Sequence, residues 1–467
     1  MVHAQVLRPA TATDVQPVAA TAADSDATVA TPAALVKAPN DLPPSPLRRI
    51  APTVLQPVLT VSGWKFVLHG FAQVEAVAWS QASQDELSPT TGEPLNQTRF
   101  MIRRARLRAH GERGAWAAMV EFDGNTVQGT ASARLLASNI QWTLPQSGPR
   151  SERPLVRSIS GPRAENAVPL LRITAGLLRT PFGAEVPLPD HDKILLEAPT
   201  VSRALFPGFF DAGVMADGGW RQVRWSLAIM NGAPVGDAQF KGRDPSQQYD
   251  IVAHVGGEAE TAPQLHFSGG VSVLQGRGLS PGTPPTKDAL QWVDGNNDGI
   301  VQTTELQVIP GGPGRPSATF ARRAVGINAA VQWCLCRLGQ GSAFAEITLA
   351  QNLDRGVEYA DPIAAGRNLR ELGGYIGVVQ NLGSVLMVGA RYDRYQPDRD
   401  RNSVLGTNRV LVNPTYATMS VLLAARLGDV RMTAQYDHER NPLGRADDGS
   451  VTTRADDRLT LRAQAGF

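Results

Sequence analysis

The chain has 467 residues, 42% of them hydrophobic, and this composition excludes a wholly disordered protein. Its 45 Lys and Arg nearly balance 43 Asp and Glu, so the net charge of +2 gives no broad field for nucleic acid. The longest apolar runs fall well short of the ~20 residues that a membrane-spanning helix requires. The sequence therefore excludes a helical membrane protein and argues against a nucleic-acid binder.

The first 62 residues differ in composition from the rest of the chain. Ala, Thr, Val and Pro dominate residues 5–60, and neither a helical nor a strand period runs through them. The start lacks the basic and apolar segments of a secretory signal, although Val2-His3-Ala4 before Gln5 resembles the end of a cleaved one. We expect residues 1–62 to be a flexible leader that starts inside or just after a signal segment. Residues 63–467 are expected to form the folded domain.

From residue 63 onward apolar and polar side chains alternate. In residues 64–78 the even positions are apolar or small, whereas the odd positions include Lys65, His69, Gln73 and Glu75. The same period of two recurs in residues 104–110, 116–123 and 386–393. Because successive side chains of a strand point to opposite faces, the pattern predicts strands with one apolar and one wet face. No long segment shows the helical period, so the predicted class is all-β.

The predicted strands number about sixteen, at roughly 25 residues for each strand with its connection, which suits an outer-membrane barrel. Short turns are predicted at 110–114, 217–219, 381–384 and 427–429. Long polar connections are predicted near 81–98, 180–209, 232–247, 276–317, 352–368, 396–412 and 440–455. Two connections break the alternation, since 145–167 is long where a turn is expected and 124–130 is short where a loop is expected. The pattern predicts a transmembrane antiparallel β-barrel with periplasmic turns and extracellular loops.

The wet face of the predicted barrel is cationic. Arg104, Arg106 and Arg108 occupy every second position and would form a ladder along one side of one strand. A lipid-facing arginine costs about 2–4 kcal/mol at mid-membrane depth, so this ladder is expected to face water. A turn at 110–114 would place Glu121 and Asp123 opposite Arg104 and the residues just before it.

This face has two interpretations. It is either a solvated face held by salt bridges or an anion path in which guanidinium groups replace part of a solute's hydration shell. On the second interpretation the pore-lining residues are Arg104, Arg106, Arg108, Glu121, Lys65 and Arg391.

The end of the chain carries a further signal. Apolar residues occupy positions 459, 461, 463 and 465, and the chain ends on Phe467. A strand that ends on Phe in this phase resembles the C-terminal signature of bacterial outer-membrane proteins. The resemblance implies recognition by the barrel-assembly machinery.

Several internal segments share a second resemblance. They are residues 100–107 (Phe-Met-Ile-Arg-Arg-Ala-Arg-Leu), residues 173–185 ending in Pro181-Phe182-Gly183-Ala184-Glu185, residues 211–214 and residues 230–232. Together they resemble the phosphate-selective porin O and P family over roughly residues 63–467. The resemblance implies a sixteen-stranded barrel, usually a homotrimer, whose third long loop folds inward as a constriction. Lysine occurs only five times in the chain, so a general anion preference is expected rather than phosphate specificity.

Placed on this sequence, the constriction loop is residues 180–209. It contains Asp190, Asp192, Lys193 and Arg203, a mixed set of charges that would exert a transverse field on passing solutes. The alternative is an ordinary surface loop.

A calcium-type loop is predicted within the long connection 276–317. Residues 294–305 match the twelve-residue EF-hand pattern of oxygen ligands around a central Gly299. The predicted Ca²⁺ ligands are Asp294, Asn296, Asp298, the Ile300 carbonyl, Gln302 and Glu305. Prolines bracket the region, so flanking helices are not expected, and the ion would stiffen an exposed loop. The alternative is a polar loop that merely turns.

Together these features predict an outer-membrane porin, a passive diffusion channel for small hydrophilic solutes with a preference for anions, phosphate among them. No Gly-x-Ser-x-Gly or His-Glu-x-x-His motif is present, so catalysis is not expected. The expected partners are outer-membrane lipid, two further copies of the chain, the assembly machinery and small anions. Two alternatives remain: a calcium-stabilised β-rich adhesin without channel activity, and an outer-membrane enzyme built on a barrel.

Overall fold

The computed structural model describes residues 59–81, 98–144, 169–237, 239–240, 246–262, 265–293, 300–335, 338–405, 408–411, 415–445, 451–453 and 456–466. Three features expected from the sequence lie outside these residues in whole or in large part. They are the leader up to residue 58, the ligands Asp294, Asn296 and Asp298, and the terminal Phe467.

Strands dominate the described chain and are numbered here in chain order. A first short strand, β1 (Leu59–Val61), precedes the barrel. The barrel strands are β2 (Trp64–Gln81), β3 (Arg99–Arg113), β4 (Trp116–Asn125), β5 (Ser132–Thr143), β6 (Arg172–Arg179), β7 (Phe210–Trp220), β8 (Val223–Met230), β9 (Asp250–Ala262), β10 (Leu265–Ser280), β13 (Ala318–Leu335), β14 (Gly339–Gln351), β15 (Arg370–Leu382), β16 (Leu386–Gln396), β19 (Tyr416–Leu427), β20 (Val430–Arg440) and β23 (Asp456–Gly466). Three hairpins in the loops supply β11 (Ala289–Trp292) with β12 (Leu306–Ile309), β17 (Asn402–Leu405) with β18 (Asn408–Leu411), and β21 (Gly444–Arg445) with β22 (Val451–Thr452).

Sixteen antiparallel strands close into a barrel, as the sequence predicts. The first and last strands complete the ring, because β2 pairs with β23 from Phe71 opposite Gly466 to Gln81 opposite Asp456. Residues 59–61, which are part of the predicted leader, form β1 and pair with the start of β2. The ring therefore has no free sheet edge, the condition for a sheet that crosses lipid.

The connections alternate between short and long around the barrel. Turns lie at 114–115, 383–385 and 428–429, close to their predicted positions. The predicted turn at 217–219 is wrong, because these residues pair with β8 inside β7 and the chain reverses at 221–222. Gly218 serves packing instead, since a Cβ there would lie 2.1 Å from the Leu170 carbonyl oxygen. Both irregular connections fit a count of sixteen: 144–171 joins β5 to β6 at the turn end, and 126–131 joins β4 to β5 at the loop end.

Two short α-helices lie in the long connections. Helix α1 (Thr200–Leu205) belongs to residues 180–209, and α2 (Pro362–Ala365) follows β14. Within the described ranges, no helix has the length and apolar content to cross a bilayer. The connection predicted at 276–317 begins later, because β10 continues to Ser280. It carries β11, β12 and a turn of 3₁₀ helix at Thr303–Glu305.

The apolar core lies inside the barrel. Residues of the connection 180–209, including Phe182, Leu205 and Phe206, form one buried cluster with inward side chains such as Met230 and Val252 of the wall. A barrel of this size would otherwise enclose water, so a large part of the lumen is filled by the chain itself.

Candidate functional site: the lumen and the loop inserted into it

The outer face of the barrel is apolar along every described strand. Inward positions are largely buried while the apolar residues between them are exposed, as in β15, where Tyr375 is 7% and Ile376 is 61% exposed. One exposed apolar residue from each strand in order is Leu68, Phe100, Trp116, Ile140, Ile173, Val214, Leu227, Ile251, Val271, Val325, Ile347, Ile376, Val388, Val421, Met432 and Leu461.

Tryptophans mark one edge of this apolar surface. Trp64, Trp116, Trp142, Trp220, Trp225 and Trp333 all stand on outward positions near the turn ends of their strands. An apolar band with an aromatic girdle is the lipid-facing surface of an outer-membrane barrel. The barrel therefore lies in a bacterial outer membrane, with its polar side facing the lumen.

A bulge in β3 adds a second inward arginine next to the predicted ladder. Gln73 of β2 pairs with Arg104, whereas Val74 pairs with Ile102, so Arg103 is the extra residue in the ladder. A bulge lets two consecutive side chains point to one face. Arg103 and Arg104 therefore both face the lumen, where period-two alternation alone would have sent Arg103 into lipid.

The connection between β6 and β7, residues 180–209, enters the barrel and is called the inserted loop below. It contacts strands on opposite sides of the ring, so it crosses the lumen. The backbone N–H groups of the loop donate to side chains of four strands: Ser272 on β10 (2.9 Å), Glu346 on β14 (2.8 Å), Asp393 on β16 (3.3 Å) and Gln435 on β20 (2.9 Å). The backbone carbonyls of the loop accept from Arg179 on β6, Arg391 on β16, Arg431 on β20 and Gln464 on β23.

Asp190 of the inserted loop lies at the centre of a cluster of cations. Its Oδ2 is 2.6 Å from Arg106 Nη1 and 2.7 Å from Arg179 Nη2. Lys193 Nζ lies 3.4 Å from Oδ1, and Arg104 Nη2 lies 3.9 Å from the same oxygen. The carboxylate is only 3% exposed. Such a buried anion is held by its partners, because an unpaired charge in this position would cost several kcal/mol.

Glu197 forms a second cluster farther along the inserted loop. Its carboxylate accepts from Arg103 Nε at 2.9 Å and from Arg462 Nη2 at 3.3 Å. Arg104 Nη2 lies 3.9 Å from Glu197 Oε2, so this one guanidinium lies between the two carboxylates of the loop. Arg462 Nε also donates to Glu75 of β2 at 2.6 Å. Asp190, Glu197 and the arginines that contact them are called the latch below.

The electrostatics of the latch favour charged carboxylates. Burial raises the pKa of Asp190, but Arg106 and its neighbouring cations overcome this effect and hold the pKa well below its usual range. Burial and the opposing effect of Arg103 act in the same way on the pKa of Glu197. His191, between the two, has its pKa lowered to about 3 by burial, so it is neutral near pH 7. The inserted loop thus presents fixed negative charge to the arginines on the inner face of the barrel, called the arginine wall below.

The arginine ladder faces the lumen, but its partners differ from the expectation. Glu121 lies opposite Arg108 and Asp123 opposite Arg106, not opposite Arg104 and the residues before it. The reason is that the chain turns at 114–115, about two residues beyond the assumed centre of the turn, which shifts the register by four to five residues. Arg108 Nε donates to Glu121 Oε2 at 2.6 Å, and Arg106 Nε donates to Asp123 Oδ1 at 3.1 Å.

The other predicted residues lie in different parts of the lumen. Arg391 is buried, and its Nη1 donates to the Glu197 carbonyl at 2.8 Å. Lys65 is exposed at the turn end of β2, far along the strand from the latch. Asp192 is partly exposed beside His191, and Arg203 is exposed on α1. Of the four predicted constriction residues, Asp190 and Lys193 join the charge cluster, whereas Asp192 and Arg203 lie outside it.

Five residues that hold the inserted loop in place were not among the predicted site residues: Arg103, Arg179, Glu197, Arg431 and Arg462. Arg462 had a visible signal, since it occupies a polar position between Leu461 and Ala463 of the last strand. Arg103 had none, because only the bulge turns it inward. The choice of Asp190 and Glu197 over other loop acids depends on how the loop packs, which spacing does not reveal.

The described part of the calcium-type loop is held by a hairpin. β11 and β12 pair up to Trp292 opposite Leu306, and Val293 N donates to the Glu305 carbonyl at 3.0 Å. Val293, which precedes the twelve-residue loop in sequence, therefore lies beside Glu305, the last residue of that loop. Glu305 Oε2 accepts from Trp292 Nε1 at 2.9 Å. Ile300 and Gln302 lie in the described part, whereas Asp294, Asn296 and Asp298 lie outside it.

Neither a protein-family model nor a curated protein matches the sequence. Among solved structures, the outer membrane channel DcaP of Acinetobacter baumannii is similar with a TM-score of 0.52 and 9% identity, over 88% of this chain and 100% of that chain. An anion-selective porin from Comamonas acidovorans aligns with a TM-score of 0.48, 8% identity and coverage of 86% and 100%. The trimer form of OmpT of Vibrio cholerae aligns with a TM-score of 0.47 and 9% identity, over 87% of this chain and 100% of that chain. At such identity the likeness to DcaP shows the fold alone, that of an outer-membrane channel barrel.

Proposed function

We propose that this protein is a porin-type diffusion channel for small hydrophilic solutes. The observation that carries the proposal is the latch inside a closed, lipid-facing barrel. Buried ion pairs contribute little net stability compared with apolar packing, so they are an expensive way to fill a core. Along a solute path, opposed charges instead orient and select what passes.

The barrel wall that faces the inserted loop is rich in arginine, which supports a preference for anions. Among the described residues, nine cationic side chains contact the loop or the carboxylates around it. They are Arg103, Arg104, Arg106, Arg108, Arg179, Lys193, Arg391, Arg431 and Arg462. The carboxylates in the same region include Glu75, Glu121, Asp123, Glu185, Asp190, Asp192, Glu197, Glu346 and Asp393.

Passage requires the latch to exchange partners. In the structure the loop carboxylates occupy the arginines directly, so a solute anion replaces Asp190 or Glu197 as the partner of Arg104 and Arg106 while it passes. These pairs are largely buried, so the exchange succeeds only where the incoming anion accepts the hydrogen bonds of the carboxylate that it replaces, since a buried guanidinium without a partner is costly. Selectivity on this account arises from the arginine wall, and phosphate is one of the anions that it accepts.

The test is planar-bilayer recording of the refolded protein under a KCl gradient, followed by addition of phosphate. We expect stable conductance steps with a reversal potential that favours Cl⁻, and reduced current when phosphate occupies the wall. A K⁺-favouring reversal potential would refute the anion preference and leave the channel in place. A folded protein without any steps would refute the channel.

The proposed assembly follows from the same barrel. We propose a homotrimer embedded in outer-membrane lipid and inserted by the barrel-assembly machinery, which would recognise the last strand and the Phe467 that follows it in sequence. The apolar phase of that strand supports this, since Leu459 and Leu461 face outward. Native mass spectrometry of the detergent-extracted protein would distinguish a trimer from a monomer.

Calcium binding at residues 294–305 is a second, separate proposal. The hairpin supports it, because it holds Val293, the residue before the first ligand position, beside Glu305, the last one, without the helices of an EF-hand. Glu305 would exchange its hydrogen bond from Trp292 for the ion, so calcium should change the Trp292 environment. Titration of the wild type with Ca²⁺, read by fluorescence against Trp292→Phe, tests this, and an unchanged difference spectrum would refute it.

The structure bears on both alternatives to a channel. A secreted adhesin would need a polar outside, which the apolar outer face contradicts. A barrel-borne enzyme would need an accessible reactive pair, and His254 Nδ1 does lie 2.8 Å from Ser272 Oγ. Ser272 is fully buried, however, and its Oγ also accepts from Gly183 N of the inserted loop. The loop therefore occupies the position that a substrate of this pair would require.

A further inference from the structure

The loop end of the barrel carries arginines on its outer face, away from the lumen. Arg277, Arg323, Arg370, Arg394 and Arg440, called the rim arginines below, are all exposed. Each stands on an outward position, because the residues directly before and after it along its strand, where these belong to the strand, face the lumen. The latch and the channel function make no use of them.

The strand register places these arginines in rows. Gln275, Arg323, Gln351 and Arg370 are directly opposed across β10, β13, β14 and β15. Arg394 and Arg440 are separated by Ala417 alone, across β16, β19 and β20. Neighbouring strands are about 4.8 Å apart, so arginines two strands apart have Cα atoms roughly 10 Å from each other.

The rows lie at the upper limit of the apolar band. Two residues nearer the membrane on the same strands stand Val273, Val325, Leu349 and Tyr392, all four at least 45% exposed. An arginine at this height keeps its stem along the apolar surface and its guanidinium at the level of lipid headgroups. The position is therefore the headgroup layer of the outer leaflet.

Few carboxylates contact the rim arginines among the described residues. Arg323 donates to Gln351, a neutral partner, and Arg370 pairs with exposed Asp400. Within the described ranges Arg277, Arg394 and Arg440 make no ion pair. The nearby outward carboxylate Asp457 is engaged by Tyr436 and His438.

The rim is one-sided. Outward residues at the loop ends of β2 to β9 are Ser80, Phe100, Gly124, Ala133, Leu177, Ala212, Ile229 and Ile251, none of them charged. Half of the described circumference thus carries arginines and half does not. A general device for solubility would have no reason to favour one half, whereas contact with a charged lipid on that half would.

We propose that the face formed by β10 to β20 binds phosphorylated lipid of the outer leaflet through the rim arginines. Guanidinium groups pair with phosphate in a bidentate manner, and rows roughly 10 Å apart engage several phosphates of adjoining headgroups. Acyl chains of the same lipid lie against the apolar band below. The inference is independent of conductance, since it concerns only the outside of the barrel.

The experiment compares lipid A with enzymatically dephosphorylated lipid A in detergent, read by native mass spectrometry of the full chain. The variant carries Arg323→Gln, Arg394→Gln and Arg440→Gln. The matched control carries Arg113→Gln, Arg221→Gln and Arg426→Gln at the turn end, with equal loss of charge. Heat-dependent mobility in gels shows that each barrel is folded.

We expect the wild type and the turn-end control to retain lipid A. The rim variant should bind it with an affinity lower by about tenfold or more. Dephosphorylated lipid A should bind all three proteins equally weakly. Equal retention of lipid A by a folded rim variant would overturn the proposal. If the wild type bound dephosphorylated lipid A as tightly as lipid A, the proposal would be overturned as well. The outer face would then bind acyl chains without a headgroup site.

Discussion

The inserted loop meets the barrel wall in two different ways. Toward β3, β6 and β23 it is held by the latch, through Asp190 and Glu197. Toward β8, β9 and β10 it is held by apolar packing of Leu205 and Phe206. A dissolved anion can replace a loop carboxylate by accepting the same hydrogen bonds from the arginines, whereas apolar contacts open only by exposing surface. The comparison indicates a loop that can release its charged side while it stays anchored on the apolar side.

Removal of the apolar anchor should have the largest effect. Phe206 is 4% exposed and its ring centroid lies 4.9 Å from that of Phe182. We expect Phe206→Ala to lower the free energy of unfolding by about 3–5 kcal/mol, because it leaves a cavity in the lumen core. Phe100→Ala is the matched control, since Phe100 is 85% exposed to lipid. Denaturant unfolding in micelles checks this, and equal losses in the two variants would contradict the anchor.

Removal of the latch should loosen one side of the loop only. In the variant Asp190→Asn with Glu197→Gln, buried arginines lose their carboxylates, and we expect amide hydrogen exchange at residues 186–198 to rise tenfold or more. Residues 203–210 should change much less. Asp217→Asn, which removes the partner of Arg172 at 2.7 Å near the turn end, is the control. A uniform rise along the whole loop would show that the two sides are not independent.

A smaller effect is expected from one arginine of the wall. Arg106 contacts both Asp190 and Asp123, whereas Arg113 is exposed at the turn end. Arg106→Gln should lower the Cl⁻ to K⁺ permeability ratio about two- to fivefold, because one charge leaves the constriction. Arg113→Gln should leave the ratio unchanged. Reversal potentials measure both, and an unaltered ratio in Arg106→Gln would place selectivity elsewhere.

The smallest response is expected from pH in the neutral range. The pKa values of Asp190 and Glu197 lie well below their usual range, and that of His191 is lowered to about 3. A carboxyl group with a lowered pKa in the folded state stabilises that state above its unfolded pKa and loses the effect as pH falls. Burial keeps His191 neutral in the closed loop, whereas an opened loop lets it bind a proton below its ordinary pKa of about 6.5. The protection factors of residues 186–198, which correct for the intrinsic pH dependence of amide exchange, should therefore stay constant from pH 8 to about 7 and fall as the pH drops through about 6. They should fall further below about pH 4.5, where the two carboxylates lose their effect. Constant protection from pH 7 to 5 would contradict the neutral, buried His191.

Sequence alone predicted the barrel well, because a period of two with alternating connection lengths has few other solutions. It also predicted that Arg104, Arg106 and Arg108 face water, because an arginine that faces lipid is costly. It failed at Arg103, where a bulge breaks the period, and at Glu121, where a turn two residues farther along shifts the register. Local spacing cannot fix either feature, because both are settled by pairing with a neighbouring strand.

The inserted loop was predictable in place but not in detail. Its mixed charge and its family resemblance pointed to residues 180–209, and Asp190 and Lys193 do join the cluster. Asp192 and Arg203 do not, because only the packed loop decides which side chains point to the wall. The apolar anchor was not anticipated, since Phe182 and Phe206 read as ordinary loop residues until the lumen that they fill is known.

Single-channel conductance of three proteins tests the central claim most directly: wild type, Asp190→Asn with Glu197→Gln, and Asp217→Asn. The account predicts conductance steps in the wild type and in Asp217→Asn, and larger steps in the latch variant because its passage is no longer occupied by loop carboxylates. The same conductance in all three folded proteins would show that the latch does not control passage. No steps in any of them would contradict the channel itself.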